Sequence, residues 1–189
     1  PFEVEVRAQC PAAEIVYDLF HVVMKFGREV IDRVRVDEAN RVRKDKAARK
    51  VVKGSKWLLL ANRENLTEPT HRVRLKELLE ANQALMTVYL LKDDLKHLWG
   101  YSREGWARRA WNDWLARAME SGIGPLKAFA RNLAKRIDGV LAQCRWKLNT
   151  SVLEGMNNKV KVLKRMAYGF RDDDYFFLKI KAAFPGKAR

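Results

Sequence analysis

Asn149-Thr-Ser-Val-Leu-Glu-Gly-Met-Asn-Asn-Lys-Val-Lys-Val-Leu-Lys-Arg-Met-Ala-Tyr-Gly-Phe-Arg171 is the stretch whose reading decides the fold. At about 100° per residue, Val152, Met156, Val160, Leu163 and Ala167 share one side of a helix. Lys147, Ser151, Glu154, Asn158, Lys161 and Arg165 line the opposite side if the helix extends that far back. Glu154 is the one carboxylate between Arg145 and Arg171, a region of net charge +6. On spacing alone the ordinary reading is a solvated face, with Glu154 paired to Asn158 or Lys161 at helical spacing. A row of amides and cations around one acid is also a face that attracts phosphate, and both readings stand at this point.

The whole chain repeats that bias. Its 38 Lys and Arg outweigh 23 Asp and Glu, leaving +15 over 189 residues, a charge that calls for a polyanionic partner. With 48% hydrophobic residues the chain has enough apolar material to fold, so a solvated disordered polymer is excluded. Trp57 to Ala61 and Leu85 to Leu91 are soon broken by charge, so no run reaches the roughly 18 residues a spanning helix needs. Cys10 and Cys144 stand alone, without the spacing of a zinc site or a disulfide framework. These features read as a cytoplasmic protein with no membrane partner.

Toward the N-terminus, Glu14-Ile-Val-Tyr-Asp18 has the length and β-branched content of a buried strand ending on an acid. The residues before it fit a strand (Phe2, Val4, Val6) or a helix (Phe2, Val6, Cys10). After it, Phe20, Val23, Met24, Gly27, Val30, Ile31 and Val34 predict a helix. An acid between strand and helix is ordinarily an N-cap, and Asp18 taken alone reads so. His21 has no second histidine near it and reads as a packed residue.

Between these ends the pattern is helical. A basic block of net charge +7 runs from Arg41 to Lys56, broken at Gly54-Ser55. Apolar stripes follow through Leu75 to Tyr89, Val88 to Leu98, Ala107 to Ala118 and Leu126 to Leu141, punctuated at Gly100-Tyr-Ser102 and Gly122-Ile-Gly-Pro125. Trp111 and Trp114 lie on a stripe and read as core, whereas Trp106 is freer to stack a base. Lys127, Arg131 and Lys135 form a cationic row that reads equally as phosphate contact or solvated face.

The opening stretch resembles the C-terminal signature of bacterial insertion-sequence transposases of the D-D-E type, specifically the ISL-three group. Tyr17-Asp-Leu-Phe-His-Val-Val23 is similar to that family's second-aspartate segment, and a long helical region separates the two elements as in the family. Leu19 stands where many members carry a basic residue. The resemblance implies an RNase H-like fold, a central sheet flanked by helices. The expected class is therefore mostly α with a small β component: the C-terminal part of an RNase H-like α/β catalytic domain interrupted by a large helical insertion. Residues 1–40 would be partial core, with a strand ending at Asp18. Residues 41–141 would be the insertion, and 142–189 would return to the core with a last strand around Trp146 and the glutamate-bearing helix.

It further implies that Asp18 and Glu154 are catalytic acids and metal ligands that approach each other closely enough to share Mg²⁺ (or Mn²⁺). Hard cations prefer such oxygen donors, and paired metals promote in-line displacement at phosphorus. Asn158, Lys161 and Arg165, with Lys127, Arg131 and Lys135, are assigned to DNA phosphates. The implied partners are transposon ends and target DNA, in use at the nucleoid, with a homo-oligomer at full length. The family's first catalytic Asp has no counterpart, since the 17 residues ahead of Asp18 contain no Asp. The expectation is a C-terminal fragment that neither nicks nor transfers DNA alone. The alternative is a non-catalytic basic helical module that binds DNA or RNA.

Overall fold

The computed structural model describes residues 2–147 and 151–185, and among them there are helices and no strand. Two compact units result, Pro1–Lys147 and Leu148–Arg189.

In the first unit, α1 (Phe2–Gln9) settles the open N-terminal pattern as helix. The expected strand at Glu14 to Asp18 does not form. Residues 13–18 belong to no helix or strand, and Tyr17 gives its backbone N–H to Gly139 O at 3.0 Å. β-Branched residues favour extended backbone, but a strand exists only by pairing, and no described segment offers a ladder. The strand expected around Trp146 is likewise not seen: a 3₁₀ turn, Ala142–Cys144, precedes it, and residues 148–150 lie outside the described ones.

A continuous rod follows: α2 (Leu19–Phe26), a π-helical turn at Gly27–Ile31, and α3 (Asp32–Arg41). The apolar phase of its first half differs from the expected one. Phe20 and Met24 are 53% and 57% exposed, whereas Val22 and Phe26 are buried with Val30, Ile31 and Val34. The π turn holds an extra residue, which lets the Val22/Phe26 stripe run into the Val30/Ile31/Val34 stripe without leaving the core. Gly27 in that turn packs closely on Leu60, since a Cβ there would lie 2.9 Å from Leu60 Cδ2.

The basic block becomes α4 (Lys46–Gly54) and α5 (Lys56–Leu60), broken at Ser55 as the sequence predicts. Next come α6 (Pro69–Ala81) and α7 (Gln83–His97). Between them the buried Asn82 caps α7 through Leu85 N–H at 2.9 Å and donates to Glu38 Oε2 at 2.7 Å. α8 (Glu104–Glu120), α9 (Gly124–Ala134) and α10 (Ile137–Leu141) complete the unit. Pro125 sits in the first turn of α9, as expected.

An aromatic knot of α2, α8 and α9 fills the centre. Trp114 lies edge-on to Phe26, Trp111 and Phe129, with centroids 6.3, 5.8 and 6.4 Å away, and donates its indole N–H to Leu91 O at 2.9 Å. One cation is buried beside this core. Lys92 Nζ donates to Leu59 O (2.7 Å) and Ala61 O (2.9 Å) at the C-terminal end of α5, and lies 4.4 Å from the Tyr89 ring centroid. Burial, and secondarily Lys96, lowers its pKa to about 8.

The second unit pairs α11 (Ser151–Met166) with α12 (Asp173–Ala183). α11 ends in a Schellman turn: Gly169 N–H bonds Lys164 O at 2.9 Å and Tyr168 N–H bonds Arg165 O at 3.0 Å. Tyr168 takes the left-handed position (φ 51°) that glycine usually fills. Asp172 caps α12, and Phe170 stacks on Phe176 at 4.8 Å. No helix among the described residues is long and apolar enough to cross a membrane.

Candidate functional site

Asp18 is half-buried and stands at the N-cap of α2, its Oδ1 accepting the Phe20 N–H at 2.7 Å. The ordinary reading of this acid as a cap is therefore correct, and it does not compete with a second role, because a carboxylate offers about four lone-pair sites.

The segment leading to Asp18 is gripped from several sides. Trp99 Nε1 donates to Tyr17 O at 3.4 Å, and Tyr17 Oη donates to Glu3 Oε2 at 2.7 Å. Burial, followed by that carboxylate, raises the Tyr17 pKa and keeps the phenol a donor. Glu14 binds both Arg145 and the indole N–H of Trp146, bonds that hold its carboxyl below the usual range. Arg145 also binds Glu104 at the start of α8. Side chains thus join the two segments that the resemblance assigns to a common sheet.

Gly139 completes the grip, and nothing in its sequence context marks it. A Cβ there would meet the Tyr17 ring at 2.5 and 2.6 Å and Ile15 O at 3.0 Å. Alanine would add about 1 kcal/mol of helix propensity at most, and less in a helix as short as α10. Overpacking against a ring fixed at both ends costs about 1–3 kcal/mol. The clash wins: Gly139→Ala is expected to destabilise the chain by about 1–2 kcal/mol in urea denaturation. An unchanged midpoint would show that the grip yields freely.

Glu154 lies in the first turn of α11 in the second unit, half-buried. Asn158, Lys161 and Arg165 follow it along the same helix and are exposed, with Arg165 Nε donating to Lys161 O at 3.4 Å. Lys147, grouped with them by spacing, precedes the helix and belongs to the first unit. On α9 the core takes Leu126, Phe129, Ala130 and Leu133; Arg131 and Lys135 are exposed and Lys127 is partly so. His21 is exposed, in edge contact with Phe20 at 5.5 Å. Among the described residues no three His, Cys, Asp or Glu side chains gather as a metal site.

Against known proteins, a family model described as transposase, of the DDE-type ISL3 group, matches residues 1–180. The chain belongs to the ISL3 transposase family. It is 61% identical over 188 residues to the transposase for insertion sequence element IS1001 of Bordetella parapertussis, covering 100% of this chain and 46% of that protein. It is 26% identical to the transposase for IS1557 of Mycobacterium tuberculosis, covering 88% of this chain and 41% of that protein. The chain thus spans less than half the length of these transposases. No solved structure matches it. This ISL3 transposase family member carries Asp18 on the clamped backbone ahead of α2 and Glu154 in the first turn of α11.

Proposed function

We propose that this chain is the part of an insertion-sequence transposase that supplies two of the catalytic acids, Asp18 and Glu154, for metal-dependent cleavage and transfer of DNA strands. The family match across residues 1–180, a range that spans both acids, carries this reading. The RNase H-like core, with residues 41–141 inserted in it, belongs to the same proposal.

The donor chemistry fits Mg²⁺ or Mn²⁺, which prefer carboxylate oxygens. Asp18 and Glu154 would hold the metal, and since no three such side chains gather among the described residues, a further ligand would have to complete the site. When bound, it supplies Lewis-acid stabilisation of the oxygens at the reacting phosphorus. The chain's own part is positional. The Tyr17 contacts fix the direction of Asp18, while Arg131, Lys135, Lys161 and Arg165 hold phosphates in register by charge, as Asn158 does by hydrogen bonding. Lys127, partly exposed, adds to the α9 row.

The 189-residue polypeptide is expected to bind duplex DNA with a steep salt dependence and, with one acid wanting, to leave it uncut in Mg²⁺ or Mn²⁺. In the complete reading frame, Asp18→Asn and Glu154→Gln should each abolish cleavage of element-end DNA while retaining binding. Cleavage by either variant at the parental rate would overturn the assignment of that acid. Metal-dependent cutting by the 189-residue chain, lost in Glu154→Ala, would overturn the expectation that it is inert alone.

A further inference from the structure

Three tryptophans of the first unit are more than half exposed, and two have partners. Trp57 meets His71 edge-on at 5.0 Å, and Trp146 donates to Glu14. Trp106 differs. It is 58% exposed, turned away from the Trp111/Trp114 stripe of its own helix, and among the described residues no other aromatic ring meets it. It lines an open depression of about 420 Å³ with Arg103, Gly105 and Arg109. The Arg109 guanidinium lies over the Trp106 ring, 5.4 Å from its centroid, as a cation–π contact, and Arg103 is exposed.

The lining is selective in its chemistry. Glu104 is the acid nearest in sequence, and it is engaged by Arg108 at 3.2 Å and by Arg145. Neither Arg103 nor Arg109 is taken up by a carboxylate among the described residues. Gly105 adds no side chain beside the ring. A half-exposed indole with Arg109 over its ring and Arg103 lining the same depression suits a planar aromatic group flanked by anions, which stacks on the ring while the guanidinium groups turn to its phosphates.

We propose that Trp106 is a stacking platform for an unpaired nucleobase of DNA, with Arg103 and Arg109 taking the phosphates that flank it. This rests on the DNA-binding reading above. A base inside a duplex has its faces covered by its neighbours, so the platform engages single-stranded or locally opened DNA. Its location gives it a use: Glu104, between Arg103 and Gly105, is tied through Arg145 to Glu14, four residues ahead of Asp18. A base held here would anchor an opened strand beside the segment that carries the acid.

The test is fluorescence anisotropy of the 189-residue chain with labelled oligothymidylate and with a mixed-sequence duplex of the same length, at one salt concentration. Trp106→Ala is expected to weaken single-strand binding about 5- to 150-fold, the range of one base stack, and to leave duplex binding about unchanged. Trp106→Phe should recover most of the loss, since a smaller ring still stacks. Equal loss on both DNAs, or no loss on the single strand, overturns the platform. A parent chain that binds neither DNA overturns the DNA-binding reading itself. Circular dichroism of Trp106→Ala should match the parent, because the side chain leaves no core cavity.

Discussion

Trp114→Ala is expected to cost about 3–5 kcal/mol of folding stability, the range for removing a fully buried aromatic side chain. Trp114 is 0% exposed and touches the rings of Phe26, Trp111 and Phe129, so three elements lose their common filler at once. Those rings come from two other helices and from α8 itself, which limits how far the site can collapse around the void. Trp114→Phe separates the contributions. It keeps most of the packing but loses the bond to Leu91 O, and an unpaired or newly hydrated carbonyl costs about 1 kcal/mol. Equilibrium urea denaturation should therefore rank parent, Phe and Ala in that order. A loss below about 1.5 kcal/mol for alanine would mean that the aromatic knot repacks and is not the keystone described.

The second large effect is on pH dependence. Lys92 is 1% exposed, and its pKa falls from the ordinary 10.5 to about 8. Below pH 8 the side chain is protonated whether the chain is folded or not, and burial of its charge is felt in full. Between about 8 and 10.5 the unfolded chain binds the proton and the folded chain does not, so stability rises with pH. The shift corresponds to a rise of about 3 kcal/mol across that window, levelling off above it. Since tyrosines and other lysines titrate there too, the discriminating comparison is Lys92→Met, whose curve should lack this rise. Parallel curves for parent and variant would show that Lys92 keeps its ordinary pKa. The amine has a structural task in either charge state, because a neutral amine still has two N–H bonds to give to Leu59 O and Ala61 O.

Much of the helical region was legible because helical spacing reports burial directly. Ala107, Trp111, Trp114 and Ala118 on α8, and Leu126, Phe129, Ala130 and Leu133 on α9, are buried as their stripes predict. The failures have two causes, a partner remote in sequence and a local change of helical period. Ile15, Val16 and Tyr17 have strand propensity, yet propensity does not supply a neighbouring strand. A uniform 3.6 residues per turn points Phe20 and Met24 inward, but the rod contains a π turn and both are exposed. Asn82, within the stripe from Leu75 to Tyr89, caps α7 through the Leu85 N–H and is tied by its amide to Glu38, 44 positions earlier.

The candidate site divides in the same way. Asp18 and Glu154 were identified by resemblance to a family motif, since spacing alone left each of them an ordinary residue. The surroundings of Asp18 were not legible at all. Gly139 matters only because Tyr17 lies against it, and Glu14, Arg145 and Trp146 meet across more than 130 residues of chain. Trp106 was singled out by being off the stripe, but its two guanidinium neighbours needed coordinates.

The π turn at Gly27–Ile31 makes the rod behave like a shaft with a keyed coupling. Because the wider turn already takes up one extra residue, losing that residue and returning to uniform helix would leave the two flanks nearly in their present phase. A residue added to the regular helix of α2 as further α-helix has no such slack, and with α3 held by the core it would swing the Asp18 end by about 100°. The five positions of the π turn are therefore where this rod can change length and still keep the heading of Asp18.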